Sequence, residues 1–456
     1  METSNDLDEN SPLLAEHDVN SNRRMWLKEL IFDIPHIWFS MIIVTPASLL
    51  VWRCIWGLLD MYAFQKSSPP LELVSLLTNT KLSKHRSKTL YQLNLQIKDT
   101  FSSPQPDNFK VLGTIIFVGA VLLRTATVIF QHRIYNYVKK WEDERRYAWK
   151  GVVIVYLLIY LYMLINTIIT VSIWKGAWHF LDEVGKIMDE EKDICTVHVI
   201  SMAISLVLLL FSNTTLSLVA CPLSVSSDQL NDIFLPPTFL GHTLNTQSTR
   251  FASVLNIIYS AFIYGVSVIL WWSVWHLIDA FSYVFTQREL WDVNYQNDLF
   301  WSHLMIGYII CIVIYLAQYP VQAMCATTPI PHHFVVFKLH YFSRKILILC
   351  ATIGCVLVWK GLWSGLDVWT FYILGNQPNN FVITGICSSL LMIFLGCFNT
   401  SSSRGVCRDT YVINENTDEY LFQTKIRHPL CSQLNENGTS SNDLITTTNL
   451  ELNGNV

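Results

Sequence analysis

The sequence predicts an all-α fold, a polytopic membrane bundle of eight transmembrane helices built from four parallel two-helix repeats. Three observations predict it. Hydrophobic residues make up 51% of the 456-residue chain and charged residues only 14%. The apolar residues are gathered into eight runs of roughly 20 residues, long enough to cross a hydrocarbon core of about 30 Å. Four of those runs end in the same signature, two tryptophans and an aspartate at intervals of four. The runs are continuous rather than alternating, which argues against a β-barrel.

Residues 1–30 are polar, charged and poor in aromatics, and read as a disordered cytosolic tail with no cleavable leader. Within it, Glu9 stands four residues before the pair Leu13 and Leu14. That pattern resembles the acidic dileucine signal read by clathrin adaptors, and it has meaning only on a cytosolic segment. The transmembrane domain is assigned to 31–408, with spans at Ile37–Leu59, Val111–Phe130, Gly151–Trp178, Val197–Ala220, Phe251–Ile278, Leu299–Tyr319, Ile346–Leu366 and Phe381–Phe398. Residues 409–456 return to tail composition and read as a second disordered cytosolic segment.

The repeats fall at about 35–132, 150–222, 251–328 and 345–407. Each is a long first helix carrying the signature at its outer end, followed by a helix that returns to the cytosol. Equivalent tryptophans lie 122, 97 and 88 residues apart, and loops absorb the difference. Every unit starts on the same side, so the repeats are parallel, related by an axis along the membrane normal. A ring or a pair of pairs satisfies that symmetry. The return helices match less well, although Phe211–Cys221 and Phe398–Cys407 share an aromatic, an Asn and a closing Cys. Their hydroxyl and amide clusters read as glue between helices.

Sidedness follows from the basic residues. Arg23, Arg24 and Lys28 precede the first span, and Arg133, Lys139, Lys140, Arg145 and Arg146 fill the connection after the second. Acidic residues dominate after the third and fifth spans, at Asp182 to Asp193 and at Glu289 and Asp292. Both termini are therefore placed in the cytosol. The loop at 63–109, with Lys81, Lys84, Arg86 and Lys88, runs against this placement, but a loop that long says little about orientation. The eleven cysteines fall mostly inside spans or at their cytosolic ends, so no disulfide framework is implied.

The signature itself is the candidate site. It reads Trp52, Trp56, Asp60; Trp174, Trp178, Asp182; Trp271, Trp275, Asp279; and Trp359, Trp363, Asp367. Positions four apart drift by only about 40° around a helix, so each triplet holds one face for about two turns. Tryptophan near a bilayer surface is ordinary, because the indole has an apolar body and a polar N–H. An interfacial belt, however, does not require the same rotation in four helices, whereas a helix–helix contact does. The residue after the first Trp is Arg53, Lys175 or Lys360 in three repeats and Trp272 in the third. A cation below the interface costs about 2–3 kcal/mol or more unless it snorkels or finds a partner. Two readings stay open. Either the stripes converge on a path lined by carboxylates and cations, or they lock neighbouring helices together.

The pattern of a soluble enzyme is absent. There is no H-E-x-x-H, no phosphate-binding glycine loop and no nucleophile elbow, and no cofactor, metal or nucleic acid is implied. The oligomeric state is not legible. The four segments WRCIWGLLD, WKGAWHFLD, WWSVWHLID and WKGLWSGLD, with eight spans and cytosolic ends, resemble the fuseless family of eight-pass animal membrane proteins. The likeness covers roughly residues 30–410. It implies a non-enzymatic protein of the plasma membrane, with presynaptic organisation, calcium-channel placement and neurotransmitter release as its setting. Channel or scaffold proteins would be partners beside the lipid bilayer. A channel or solute carrier is the alternative, and an endosomal or lysosomal membrane the alternative location.

Overall fold

A computed structural model describes residues 33–62, 107–145, 149–189, 194–228, 230–234, 250–286, 293–327, 334–372, 378–402 and 422. Its long helices are α1 (Asp33–Tyr62), α2 (Asp107–Arg145), α3 (Trp149–Asp189) and α4 (Ile194–Phe211). They continue with α5 (Arg250–Thr286), α6 (Val293–Thr327), α7 (Phe334–Tyr372) and α8 (Pro378–Phe394). No strand occurs among the described residues. Six helices, all but α4 and α8, are long and apolar enough to cross a membrane, and those two are shorter apolar helices. The outward surface is apolar, with Leu122, Leu157, Phe262, Ile309, Ile383 and Leu390 all exposed. Such a surface suits lipid, and the chain is an integral membrane protein. The tail readings and Glu9, Leu13 and Leu14 lie outside the described residues, as do residues 63–106 of the first loop. Phe422 is described, and it is buried.

Packing is offset by one helix from the order of the chain. The closest pairings are α2 with α3, α4 with α5, α6 with α7, and α8 with α1. Each return helix therefore packs mainly on the first helix of the next repeat, and α8 against α1 closes the circle. The α6–α7 contact brings backbones together: a Cβ at Gly361 would stand 2.8 Å from the Leu304 nitrogen, and one at Gly307 would stand 2.7 Å from the Val358 nitrogen. Small residues at such crossings are what dispersion-driven packing in lipid selects. Gly361→Val is expected to wedge the pair apart and lower stability by about 1–3 kcal/mol. An unchanged melting temperature in detergent would contradict this close approach.

In α1 the chain meets Pro46, which has no N–H and would clash with the carbonyl four residues earlier in a regular helix. The ladder widens to a π-turn at Ser40–Val44, where the Thr45 N–H donates to Ser40 O. This shift releases the Met41 carbonyl, which accepts from the Tyr308 hydroxyl of α6 at 2.7 Å. The Ser40 hydroxyl donates to Pro222 O at 2.7 Å. A sequence defect becomes a tie between two helices and a loop.

Two spans end earlier than Val197–Ala220 and Phe381–Phe398 suggested. The helices stop at Phe211 and Phe394, turn through Asn213 at φ 54° and Gly396 at φ 67°, and enter short 3₁₀ helices at Thr215–Leu218 and Phe398–Ser401. The two ends keep one register, so Phe211 corresponds to Phe394 and not to Phe398. An apolar run reports burial rather than helicity, and residues 221–228 are buried without being helical. Non-helical backbone is tolerated at depth where protein covers it. The two loops also hold each other. The Asp228 carboxylate accepts the N–H groups of Phe398 at 3.0 Å and Asn399 at 2.7 Å, and the Ser226 N–H donates to Thr400 Oγ1 at 3.0 Å.

Candidate functional site

The four signature helices, α1, α3, α5 and α7, bring all eight tryptophans of the motif into two closed layers. In the first, Trp52 meets Trp174 at 5.7 Å between ring centroids, Trp174 meets Trp271 at 5.9 Å, Trp271 meets Trp359 at 5.7 Å, and Trp359 returns to Trp52 at 5.3 Å. Every contact is edge to face, the arrangement that sets the positive rim of one ring against the negative face of the next. The second layer repeats it through Trp56, Trp178, Trp275 and Trp363, at 6.2, 5.6, 6.4 and 5.3 Å around the circle. First-layer rings meet first-layer rings throughout, so the four helices pass the layers in the same order. A square with the sides of the first layer sets each centroid about 4 Å from the axis, close to carbon–carbon contact distance. The indoles therefore surround the axis, each in contact with its two neighbours.

The first layer rests on the buried loops. Trp52 Nε1 donates to Ser401 O at 2.7 Å, Trp271 Nε1 to Leu218 O at 3.1 Å, and Trp359 Nε1 to Cys221 O at 2.9 Å. These are carbonyls of the segments that follow α4 and α8. A buried indole N–H needs an acceptor, and a buried carbonyl in a loop or at the end of a 3₁₀ helix needs a donor. Each requirement satisfies the other.

The charged residues close a third circle, one repeat out of step. Lys175 pairs with Asp60, Lys360 with Asp279 at 2.7 Å, and Arg53 with Asp367 at 2.6 Å. Each cation thus meets the carboxylate of the preceding repeat and not its own. Each also stands over that repeat's second indole: Lys175 over Trp56 at 4.6 Å, Lys360 over Trp275 at 4.4 Å and Arg53 over Trp363 at 5.5 Å. The cations are 5–15% exposed, while the carboxylates are 21–46% exposed. The carboxylate satisfies a buried cation that would otherwise be costly in lipid, and the indole face adds cation–π attraction.

The joint between the second and third repeats lacks the cation and keeps the geometry. Trp272 Nε1 donates to Asp182 Oδ1 at 2.7 Å, and His276 Nε2 lies 3.3 Å from the same oxygen. His276 also faces Trp178 at 6.1 Å and stacks on His198 at 4.9 Å. Trp272→Phe keeps the ring and removes the donor. Its expected cost is about 1–3 kcal/mol, because a partly buried carboxylate loses a charge-assisted bond. Thermal unfolding compared with Trp275→Phe, whose N–H has no such carboxylate contact in the ring, checks this. Equal losses would refute the assigned role of the Trp272 N–H.

All twelve residues of the four triplets and all three cations thus converge on one end of the bundle. Sequence reasoning missed Arg124, which lies inside the apolar run Val111–Phe130 and donates from Nη1 to Asn166 Oδ1 at 3.0 Å. A charge within a span was the signal. It also missed buried Lys345, which donates to Asn213 Oδ1 at 2.7 Å across the turn after α4. Among the described residues no cluster of three His, Cys, Asp or Glu side chains is placed to hold a metal ion.

Comparison with known proteins gives one family. A family model described as Fuseless matches residues 97–401, about two thirds of the chain. No curated protein and no solved structure matches it.

Proposed function

This chain belongs to the Fuseless family, and we propose from there that it is a non-enzymatic membrane organiser whose tryptophan and aspartate stripe is a structural clamp. The observation that carries the reading is the consumption of the motif by itself. Eight indoles engage one another in two closed layers around the axis, three cations are neutralised by the carboxylates of neighbouring repeats, and the fourth carboxylate takes an indole N–H. A solute path would need some of those groups to meet solute. In this reading all eight helices cross the bilayer as four parallel repeats, with both termini in the cytosol. The shorter α4 and α8 complete their crossings with the buried loops.

The clamp gives the cell a rigid platform from which cytosolic segments reach other proteins. We assign it to the plasma membrane of presynaptic terminals, where it supports calcium-channel placement and neurotransmitter release through channel or scaffold partners. The pattern at Glu9, Leu13 and Leu14 would supply clathrin-adaptor recognition during delivery. Removing the protein from neurons that express it should then lower presynaptic calcium-channel density and evoked release, and the wild-type chain should restore both. Unchanged channel density in the deleted neurons would overturn the synaptic assignment.

A further inference from the structure

Phe422 belongs to a segment whose composition reads as an unstructured tail, yet its side chain is 2% exposed within the main hydrophobic core. Its backbone N–H donates to Gln318 Oε1 of α6 at 3.0 Å. Tyr315 and Tyr319, on the same helix, are in the same core cluster and equally buried. The Tyr319 hydroxyl donates to Asp33 Oδ2 at 2.6 Å, tying the start of α1 to this place. Phe300 meets Gly365 near the carboxylate end of α6 and α7, whereas Gln318 is eighteen residues further along α6. The Phe422 site is therefore at the opposite end of the bundle from the carboxylates.

Gln318 is the second and independent sign. It is 2% exposed, and its Nε2 has no acceptor among the described residues. A primary amide offers an acceptor and donors side by side, and a polypeptide in extended form offers N–H and C=O groups in complementary order. One half of that match is made, by the Phe422 N–H. The other half, a buried donor beside the same site, is what an approaching peptide carbonyl satisfies. Leaving such a donor buried without an acceptor is unfavourable.

We propose that this end of the bundle carries a peptide-binding socket, filled in cis by the chain's own C-terminal segment. Phe422 is its aromatic anchor and Gln318 reads its backbone. The ligand class is an extended peptide bearing an aromatic residue, recognised through main-chain hydrogen bonds and one apolar pocket. The socket rests on the position of Phe422 and not on the synaptic assignment, so either can fail while the other stands.

The test uses the full chain with a specific protease site inserted after Asp409. After cleavage in detergent, the fragment beginning beyond that site should remain with the helical domain, and a synthetic peptide of residues 415–429 should displace it. Phe422→Ala, which alters only the tail, should release the fragment at least about tenfold faster. Gln318→Leu should also speed release, and Phe422→Tyr should release more slowly than Phe422→Ala. Equal retention of the wild-type and Phe422→Ala fragments, or equally rapid loss of both, would overturn the socket. If differently tagged copies exchanged fragments as readily as they kept their own, the occupant would be a second copy and the cis assignment would be lost.

Discussion

The variant in which Asp60, Asp182, Asp279 and Asp367 are all asparagine is expected to lose its folded bundle and its normal abundance in the membrane. The reason is what stays behind. Lys175 and Lys360 are 7% and 5% exposed, and without Asp60 and Asp279 each is a buried cation facing a neutral amide. Removing one partner of a buried pair costs about 3–5 kcal/mol. Arg53 loses less, because Asp367 is 46% exposed and a pair so open to its surroundings contributes about 0–1 kcal/mol. The two lysine joints alone amount to about 6–10 kcal/mol, the size of a whole domain's stability of about 5–15 kcal/mol. Adding Arg53→Met, Lys175→Met and Lys360→Met to the quadruple variant should recover much of the loss, since a neutral, well-packed joint no longer strands a charge. Surface abundance and detergent melting temperature read both steps. A quadruple variant that melts and traffics like the wild type would remove the clamp from the account.

The residues of the clamp are all legible in the chain. Spacing of four placed Trp52, Trp56 and Asp60 on one face, and the two indole layers are that spacing repeated in four helices. The partner of each cation was not legible in the same way. Lys175 and its own Asp182 are seven residues apart and share a face, but which neighbour that face meets depends on the order and hand of the ring. Sequence order suggested hairpins, whereas packing pairs α2 with α3 and α8 with α1. The ends of α4 and α8 escaped for a different reason. Residues 221–228 are buried, and Pro222 O, the Ser226 N–H and the Asp228 N–H find partners at Ser40, Thr400 and Gly396 rather than in a helical ladder. Composition reports the burial and is silent on the partner. Trp272 shows the converse: it stands where the other three repeats carry a cation, and its indole N–H fills the same role against Asp182.

Trp52→Ala is expected to cost about 3–5 kcal/mol, the range for deleting a large aromatic side chain from a packed interior. Trp52 is 7% exposed, touches two indoles and gives its N–H to Ser401 O. Deletion would therefore open the ring, leave a cavity on the axis and strand a loop carbonyl at once. Trp52→Phe isolates the last effect. It retains most of the ring contact and should cost about 1–3 kcal/mol for the unsatisfied carbonyl. The closed geometry makes a sharper demand on pairs. Trp52 and Trp359 stand 5.3 Å apart and should show a coupling of about 0.5–1.5 kcal/mol in a double-mutant cycle. Trp52 and Trp271 face each other across the square without direct ring contact, so their coupling, carried only through Trp174 and Trp359, should be smaller than that of the adjacent pair. Equal coupling for adjacent and opposite pairs would mean a deformable aromatic cluster instead of a ring. A ring distinguishes neighbours from opposites because only neighbours stand in edge-to-face contact.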